Sequence, residues 1–312
     1  MWYNFSLKWV DGTYRNNIGL NDKYKFGVEI EFSNINLHRL YSVLSKSSTP
    51  VSFSLKHKSK NPRFDKWILD VDSSVTKSDG ERMVGGELSS RILTDREDCW
   101  DEIKKLCLTL KSMNGNVSEK CGLHVNVALD NPEILKTLVK LFFVYENDIN
   151  LFFMGDRFFV RETKERCAYS FGDKIFDVID DPNLLERHRL YNDYFYNLSP
   201  LGKKCGLNLD KVLDRGLLEV RYGNGTLEHE TIQNFCNFVL KVINAIENGK
   251  IDEDFLDYEI RKIKSDPLFK HKLDTFSEDV DKFLSLIRTI SLDDIDYMDL
   301  RNQYLKVLKT RQ

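Results

Sequence analysis

No stretch of this sequence approaches the roughly 18 to 20 uninterrupted apolar residues that a membrane-spanning helix needs, so a membrane-embedded protein is not expected. An excess of one charge is missing too. The 46 Lys and Arg nearly balance the 49 Asp and Glu, for a net charge of −3. That balance argues against a global pull towards nucleic acid and leaves only a local basic patch open. Cysteine is sparse: six residues, at 99, 107, 121, 167, 205 and 236, with no C-x-x-C pair. Neither a disulfide framework nor a zinc knuckle is expected. Cys107 and Cys236 fall in helical patterns, where a thiol packs as a small hydrophobe. The opening MWYNFSLKWVDG lacks a basic start followed by an apolar run, so no secretory signal is expected and the setting reads as reducing and cytoplasmic.

Several catalytic motifs are absent as well. Gly202-Lys203-Lys204 has neither the upstream glycine nor the hydroxyl of a phosphate-cradling P-loop. There is no G-x-S-x-G elbow and no H-E-x-x-H. Cys121 and His124 lie three apart on a strand pattern and would point to opposite faces, which argues against a Cys–His dyad.

What is present suits a globular protein. Hydrophobic residues make up 41% and charged residues 30%, and twenty Phe with thirteen Tyr can fill a sizeable core. The 312 residues suffice for one large domain or two small ones. The first hundred residues read mostly as strands with one short helix over 36–44. The Ser- and Lys-rich segment 45–65 reads as an exposed loop or edge strand. Thr94 or Asp95 can cap a helix with the stripe Trp100, Ile103, Leu106, Cys107 and Leu110, ending near Gly115. Asn131-Pro132 opens a second helix, and a third spans about 228–247 before Gly249. The last sixty residues read as charged helices with Ser277 and Ser291 as N-caps. Strands and helices mix without βα alternation, which predicts an α+β fold.

The informative feature is a repeated strand pattern. In KFGVEIEF, Val28, Ile30 and Phe32 alternate with Glu29 and Glu31. In WILDVDSS the second face holds Asp70 and Asp72; in GGELSS it holds Glu87 and Ser89. In CGLHVNV it holds His124 and Asn126, and in LLEVRYG it holds Glu219 and Arg221. Residues two apart on a strand share a face. A single E-x-E strand is more often just a solvated sheet face. Five segments restricted to acids, His, Asn, Ser and Arg are harder to explain as solvation, which ordinarily uses Thr, Lys, Ser and Gln. Two carboxylates about 4 Å apart repel by about 4 kcal/mol at an effective dielectric near 20. A divalent cation relieves this, and Mg²⁺ or Mn²⁺ prefers carboxylate oxygens with an occasional imidazole.

In this order, FGVEIEF, Asp72-Ser73, GGELSS, CGLHVNV and LEVRYGNGTLE resemble the amidoligase family, related to glutamine synthetase and glutamate–cysteine ligase. The resemblance covers roughly residues 25 to 245. It implies an amidoligase domain at 1–250 with 251–312 as a helical C-terminal extension, whose packing the sequence leaves open. The implied fold is a curved, glutamine synthetase-like antiparallel sheet, with a polar concave face and helices packed on the other. The implied reaction is ATP-dependent amide formation through an acyl phosphate. Glu29, Glu31, Glu87, His124 and Glu219 would be ligands for Mg²⁺ or Mn²⁺. Arg221 would stabilise the transferring phosphoryl group beside Glu219, and Asn126 would contact the nucleotide. Relatives often carry a second His where this chain has Asn126, which can donate a hydrogen bond but carries no charge. Asp72 and Ser73 are candidates for substrate positioning. Among Arg157, Arg161 and Arg166 after the long helix, Arg161 is the candidate for a substrate carboxylate, although a surface charge is the default for each. Gly223-Asn224-Gly225 reads first as a turn, with Asn224 a candidate nucleotide contact. Thr226 then reads as a helix N-terminus.

The leading expectation is therefore a ligase joining a carboxylate to an amine on an amino acid, peptide or macromolecule. A divalent-metal nuclease using Asp70 or Asp72 with Glu87 is the alternative, weakened because Ser89 stands where a lysine would be needed. A non-catalytic nucleotide-binding protein of the same fold is the third. Substrate identity and oligomeric state are not legible.

Overall fold

The computed structural model describes residues 14–54, 65–79, 82–154, 171, 175–176, 178–181, 183–186, 188–189, 201–202, 205–265 and 280–310. Arg157, Arg161, Arg166 and Ser277 lie outside them. The strands are β1 (Phe26–Asn36), β2 (Val51–Ser54), β3 (Trp67–Asp70), β4 (Lys77–Asp79), β5 (Arg82–Ser89), β6 (Gly122–Ala128), β7 (Leu207–Asn208) and β8 (Leu217–Asn224). They form one open eight-stranded sheet in the order β2-β3-β5-β1-β6-β8-β7, with β4 on β5. Only β2–β3 is parallel. The fold is mixed α+β, as the lack of alternation predicts.

The apolar face carries the core. Val28, Ile30, Leu69, Leu88, Leu123, Val125 and Val220 are all essentially without exposure. They belong to one hydrophobic cluster with residues of α1 (Leu37–Leu44), α2 (Glu97–Ser112), α3 (Leu135–Val144), α4 (Glu146–Met154) and α6 (His229–Glu247). Short α5 (Asp210–Arg215) precedes β8 and stops at Gly216, whose φ of 65° is left-handed. In β5, Gly85 at φ 82° sits opposite the irregularity of β1, and a Cβ there would meet the Phe32 carbonyl at 3.0 Å. No helix among the described residues is long and apolar enough to cross a membrane.

Three local readings change. Asp95 does not cap α2, which starts at Glu97 behind Arg96. Its carboxylate instead accepts the backbone N–H groups of Ile18 (2.7 Å), Leu20 (2.7 Å) and Asn21 (3.0 Å) and the Trp100 indole N–H (2.8 Å), pinning the preceding chain. Ser291 donates to the Ile287 carbonyl at the end of α8 (Val280–Ile290), the helix after α7 (Glu253–Ser265), and Asp293 accepts from the Asp296 N–H at the start of α9 (Asp294–Thr310). Gly223 and Asn224 are strand, not turn, because a Cβ on Gly223 would strike the Leu123 carbonyl at 2.5 Å and glycine lets β6 and β8 close up.

Helix α6 shows why the C-terminal helices matter. Ile232, Phe235, Val239 and Val242 are buried along one side of it, but so are Gln233, Asn237, Lys241 and Asn244 on other sides. Phe283, Ile287, Leu300 and Tyr304 from α8 and α9 join the same core. Lys241, with no exposure, is ion-paired to Asp296 of α9, which also accepts from Arg15. Removing one partner of a buried pair leaves an uncompensated charge at about 3–5 kcal/mol. Asp296→Asn is expected to lower unfolding stability by that order in urea titrations, and Lys241→Met combined with it to recover part of the loss.

A second buried group gives a pH dependence. Glu146 accepts from the Phe171 N–H (3.0 and 3.2 Å) and the Tyr222 hydroxyl (2.8 Å), and burial pushes its carboxyl up to about 8. The folded chain therefore binds this proton more tightly than the unfolded chain. Its contribution is full below the unfolded value near 4.3 and is lost as pH rises through about 8. Glu146→Gln should flatten this part of the stability profile between pH 5 and 8.5, a difference on the order of a few kcal/mol measurable by denaturation at both ends.

Candidate active site

Strand register assembles the site. β1 aligns Glu29 with His124 of β6 and with Ser89 of β5. It also aligns Glu31 with Glu87, and β3 aligns Asp70 with Glu87. β6 aligns Asn126 with Glu219 of β8, and β7 aligns Asn208 with the same Glu219. Aligned residues share a face, so the polar residues of five separate segments meet opposite the core.

Among the described residues, two sets of metal-capable side chains result. In each, one ligand atom per residue lies within 4.8 Å of the others: Glu29, His124 and Glu219 in the first, Glu31, Asp72 and Glu87 in the second. All five sequence-predicted metal ligands fall into these sets. Asp72, expected to position substrate, falls in the second set because the turn after β3 brings it back beside β1 and β5. Its own Oδ1 accepts the Ser74 N–H at 2.6 Å, which shapes that turn.

The first set is tightly wired. His124 Nδ1 lies 2.9 Å from Glu29 Oε2, and Asn126 Nδ2 donates to Glu29 Oε1 at 3.0 Å. Asn208 Nδ2 donates to Glu219 Oε2 at 2.5 Å, and Arg221 lies 3.1 Å from Glu219 Oε1. Lys211 of α5 donates to Glu29 Oε1 (3.1 Å), Glu219 Oε1 (2.6 Å) and Asn126 Oδ1 (3.1 Å). Burial pushes the Glu29 carboxyl up, but Lys211, His124 and Arg221 outweigh it and hold it well below the ordinary value. At Glu219, burial and Glu29 push up, while Arg221, Lys211 and His124 bring the net shift downward.

The second set is less compensated. Glu31 accepts the Gly122 N–H at 2.6 Å and lies 4.0 Å from His124 Nε2. Glu87 accepts the Ser89 hydroxyl at 2.5 Å. Burial, with the charges of Glu29, Glu31 and Asp72, pushes the Glu87 carboxyl well above its ordinary value despite that bond. Two neighbouring carboxyl clusters thus differ among the described residues: Lys211 and Arg221 pair with the acids of one, and no Lys or Arg pairs with those of the other.

The remaining candidates sit around these sets. Asn224 is aligned with Gly122 and donates to the Met154 carbonyl at 3.3 Å. Ser73 is exposed in the turn beside Asp72, and Arg161 lies outside the described residues. Next to Glu29 and Glu87 opens a cleft of about 260 Å³, lined by Ile68, Ser90, Arg91, Asn126, Lys211 and Leu217 among others. Lys211 and Asn208 escaped the sequence reading. They belong to no motif, and only the return of the chain through β7 and α5 brings them beside Glu219.

A family model described as a putative amidoligase enzyme matches residues 22–243, more than half of the chain. No curated protein matches the chain, and no solved structure does.

Glu87 gives a check on the electrostatics. A carboxyl held above its ordinary value costs stability as pH rises. In EDTA at pH 8, Glu87→Gln is expected to melt no lower than the wild type, although it loses the Ser89 bond's charge assistance. A clearly lower melting temperature would show that Glu87 is instead a stabilising anion in the resting protein.

Proposed function

The chain belongs to the putative amidoligase family, and from that premise we propose that it is an ATP- and Mg²⁺-dependent carboxylate–amine ligase. The observation that carries the proposal is the pair of adjacent hard-donor clusters on one sheet face, with a guanidinium beside them. The donors suit Mg²⁺ or Mn²⁺: carboxylate oxygens with a single imidazole. That Glu29 and Glu219 already grip an ammonium supports a cation site there. The one-sided polar sheet is consistent with a glutamine synthetase-like arrangement.

In this reading Glu29, His124 and Glu219 would hold one divalent ion, and Glu31, Asp72 and Glu87 a second. Such ions would supply neutralisation and orientation of the triphosphate. The substrate carboxylate attacks the γ-phosphorus of ATP, forming an acyl phosphate and releasing ADP. An amine then attacks the acyl carbon, expelling phosphate and losing a proton. Arg221, fixed by Glu219, donates to the oxygens of the transferring phosphoryl group, where charge builds up in the transition state. Asn126 and Asn224 offer amide donors to the nucleotide without adding charge. Ser73, exposed beside Asp72, and Arg161 remain candidates for orienting the substrates.

The test is ADP release from ATP and Mg²⁺ with pooled amino acids and peptides. Release is expected only when an acid and an amine are both present. Arg221→Lys should lower kcat by about 10³-fold, within the range known for arginines acting on a transferring phosphoryl group. Glu29→Gln should abolish release while leaving the fold intact by circular dichroism. Plasmid nicking without ATP would point to the nuclease instead. Absence of both activities, with no rise in melting temperature on adding Mg²⁺ and ATP, would leave a non-catalytic role.

A further inference from the structure

Lys211 belongs to none of the segments that define the family resemblance, yet its ammonium is the hub of the first cluster. Lysine has three N–H donors. Here all three have an acceptor: Glu29 Oε1 at 3.1 Å, Glu219 Oε1 at 2.6 Å and Asn126 Oδ1 at 3.1 Å. No donor is left for a ligand. The charges balance as well, two carboxylates against Lys211 and the guanidinium of Arg221. Glu219 has 1% of its side chain exposed, so a second positive charge entering beside Lys211 would meet little solvent screening. An ion held by Oε1 of both carboxylates would need the place the ammonium now fills.

We propose that Lys211 is the resting counter-ion of the Glu29–His124–Glu219 cluster, and that a divalent cation binds there by displacing its ammonium. This inference rests on the proposed reading of that cluster as a metal centre. The displaced side chain has somewhere to go, because Lys211 already lines the neighbouring cleft with Ser90, Arg91, Arg215 and Leu217. It sits on the six-residue helix α5, whose only other cleft-lining residue is Arg215. Loading of the cluster therefore turns a saturated lysine into a free cation at the cleft wall. The metal affinity of the resting protein is set partly by a side chain that never ligates the metal.

Mn²⁺ binding to the full chain tests this without nucleotide or turnover, read by the electron paramagnetic resonance signal of free Mn²⁺. Lys211→Met is expected to bind Mn²⁺ at least about tenfold more tightly than the wild type, the equivalent of about 1.4 kcal/mol. In EDTA it should melt lower, since Glu29 and Glu219 lose their partner, and it should gain more from Mn²⁺ than the wild type does. A second measurement needs no variant. Acylation of Lys211 by an amine-reactive ester, followed by mass spectrometry, should be slow in EDTA and several-fold faster with Mn²⁺.

Unchanged or weaker Mn²⁺ binding by a folded Lys211→Met chain would overturn the proposal, and so would Lys211 labelling that ignores Mn²⁺. If, in either of those cases, Glu29→Gln still binds one Mn²⁺ fewer than the wild type, the cluster stands as a metal centre and only the displacement fails. If no form binds Mn²⁺, both fail together.

Discussion

The constraint on which this protein turns is the cost of gathering carboxylates on one face of a sheet. Glu29, Glu31, Asp72, Glu87 and Glu219 gather so closely that the charges of Glu29, Glu31 and Asp72 help push the Glu87 carboxyl up, and Glu29 pushes up against Glu219. Each pair of like charges opposes folding unless something positive stands between them. In the first cluster Lys211 and Arg221 fill that role. In the second, the Gly122 N–H donates to Glu31 and the Ser89 hydroxyl to Glu87, and among the described residues no Lys or Arg is ion-paired to its acids. The contrast gives the site its direction, with a compensated half beside a half without such pairing.

The rest of the fold holds that arrangement against its own repulsion. The opposite face of the same strands packs into one continuous core with the helices. Slipping one residue in register would bury the acids and expose Val28, Ile30, Leu123 and Val125, so the apolar pattern locks the polar one in place. The C-terminal helices contribute to the same end. They bury the polar sides of α6, and the Lys241–Asp296–Arg15 link ties the chain before β1, the central helix and α9 together. A sheet carrying several unneutralised acids gains from such a broad base of apolar burial.

The reading as an amide-forming ligase brings these features together. Phosphoryl transfer asks a protein mainly for positioning and charge neutralisation. A rigid sheet face with two hard-donor clusters and a fixed guanidinium supplies both. Lys211 adds to that face an ammonium from outside the motif segments, paired with Glu29 and Glu219.

Much of this is legible in the sequence. The period-two alternation of five short segments assigned Glu29, Glu31, Glu87, His124, Asn126, Glu219 and Arg221 to one face, because on a strand the side-chain direction follows from parity alone. The helices around Trp100, Leu138 and Val239 followed from spacing for the same local reason. What parity cannot supply is which strand lies beside which. Only the assembled sheet order divided the acids into two clusters, brought Asp72 beside Glu31 and Glu87, and turned Gly223-Asn224 from an expected turn into strand. Only the tertiary path through β7 and α5 delivered Asn208 and Lys211 to Glu219. Those contacts join residues that share no repeat or motif, and their partners are set by packing across the whole chain rather than by any neighbour in sequence.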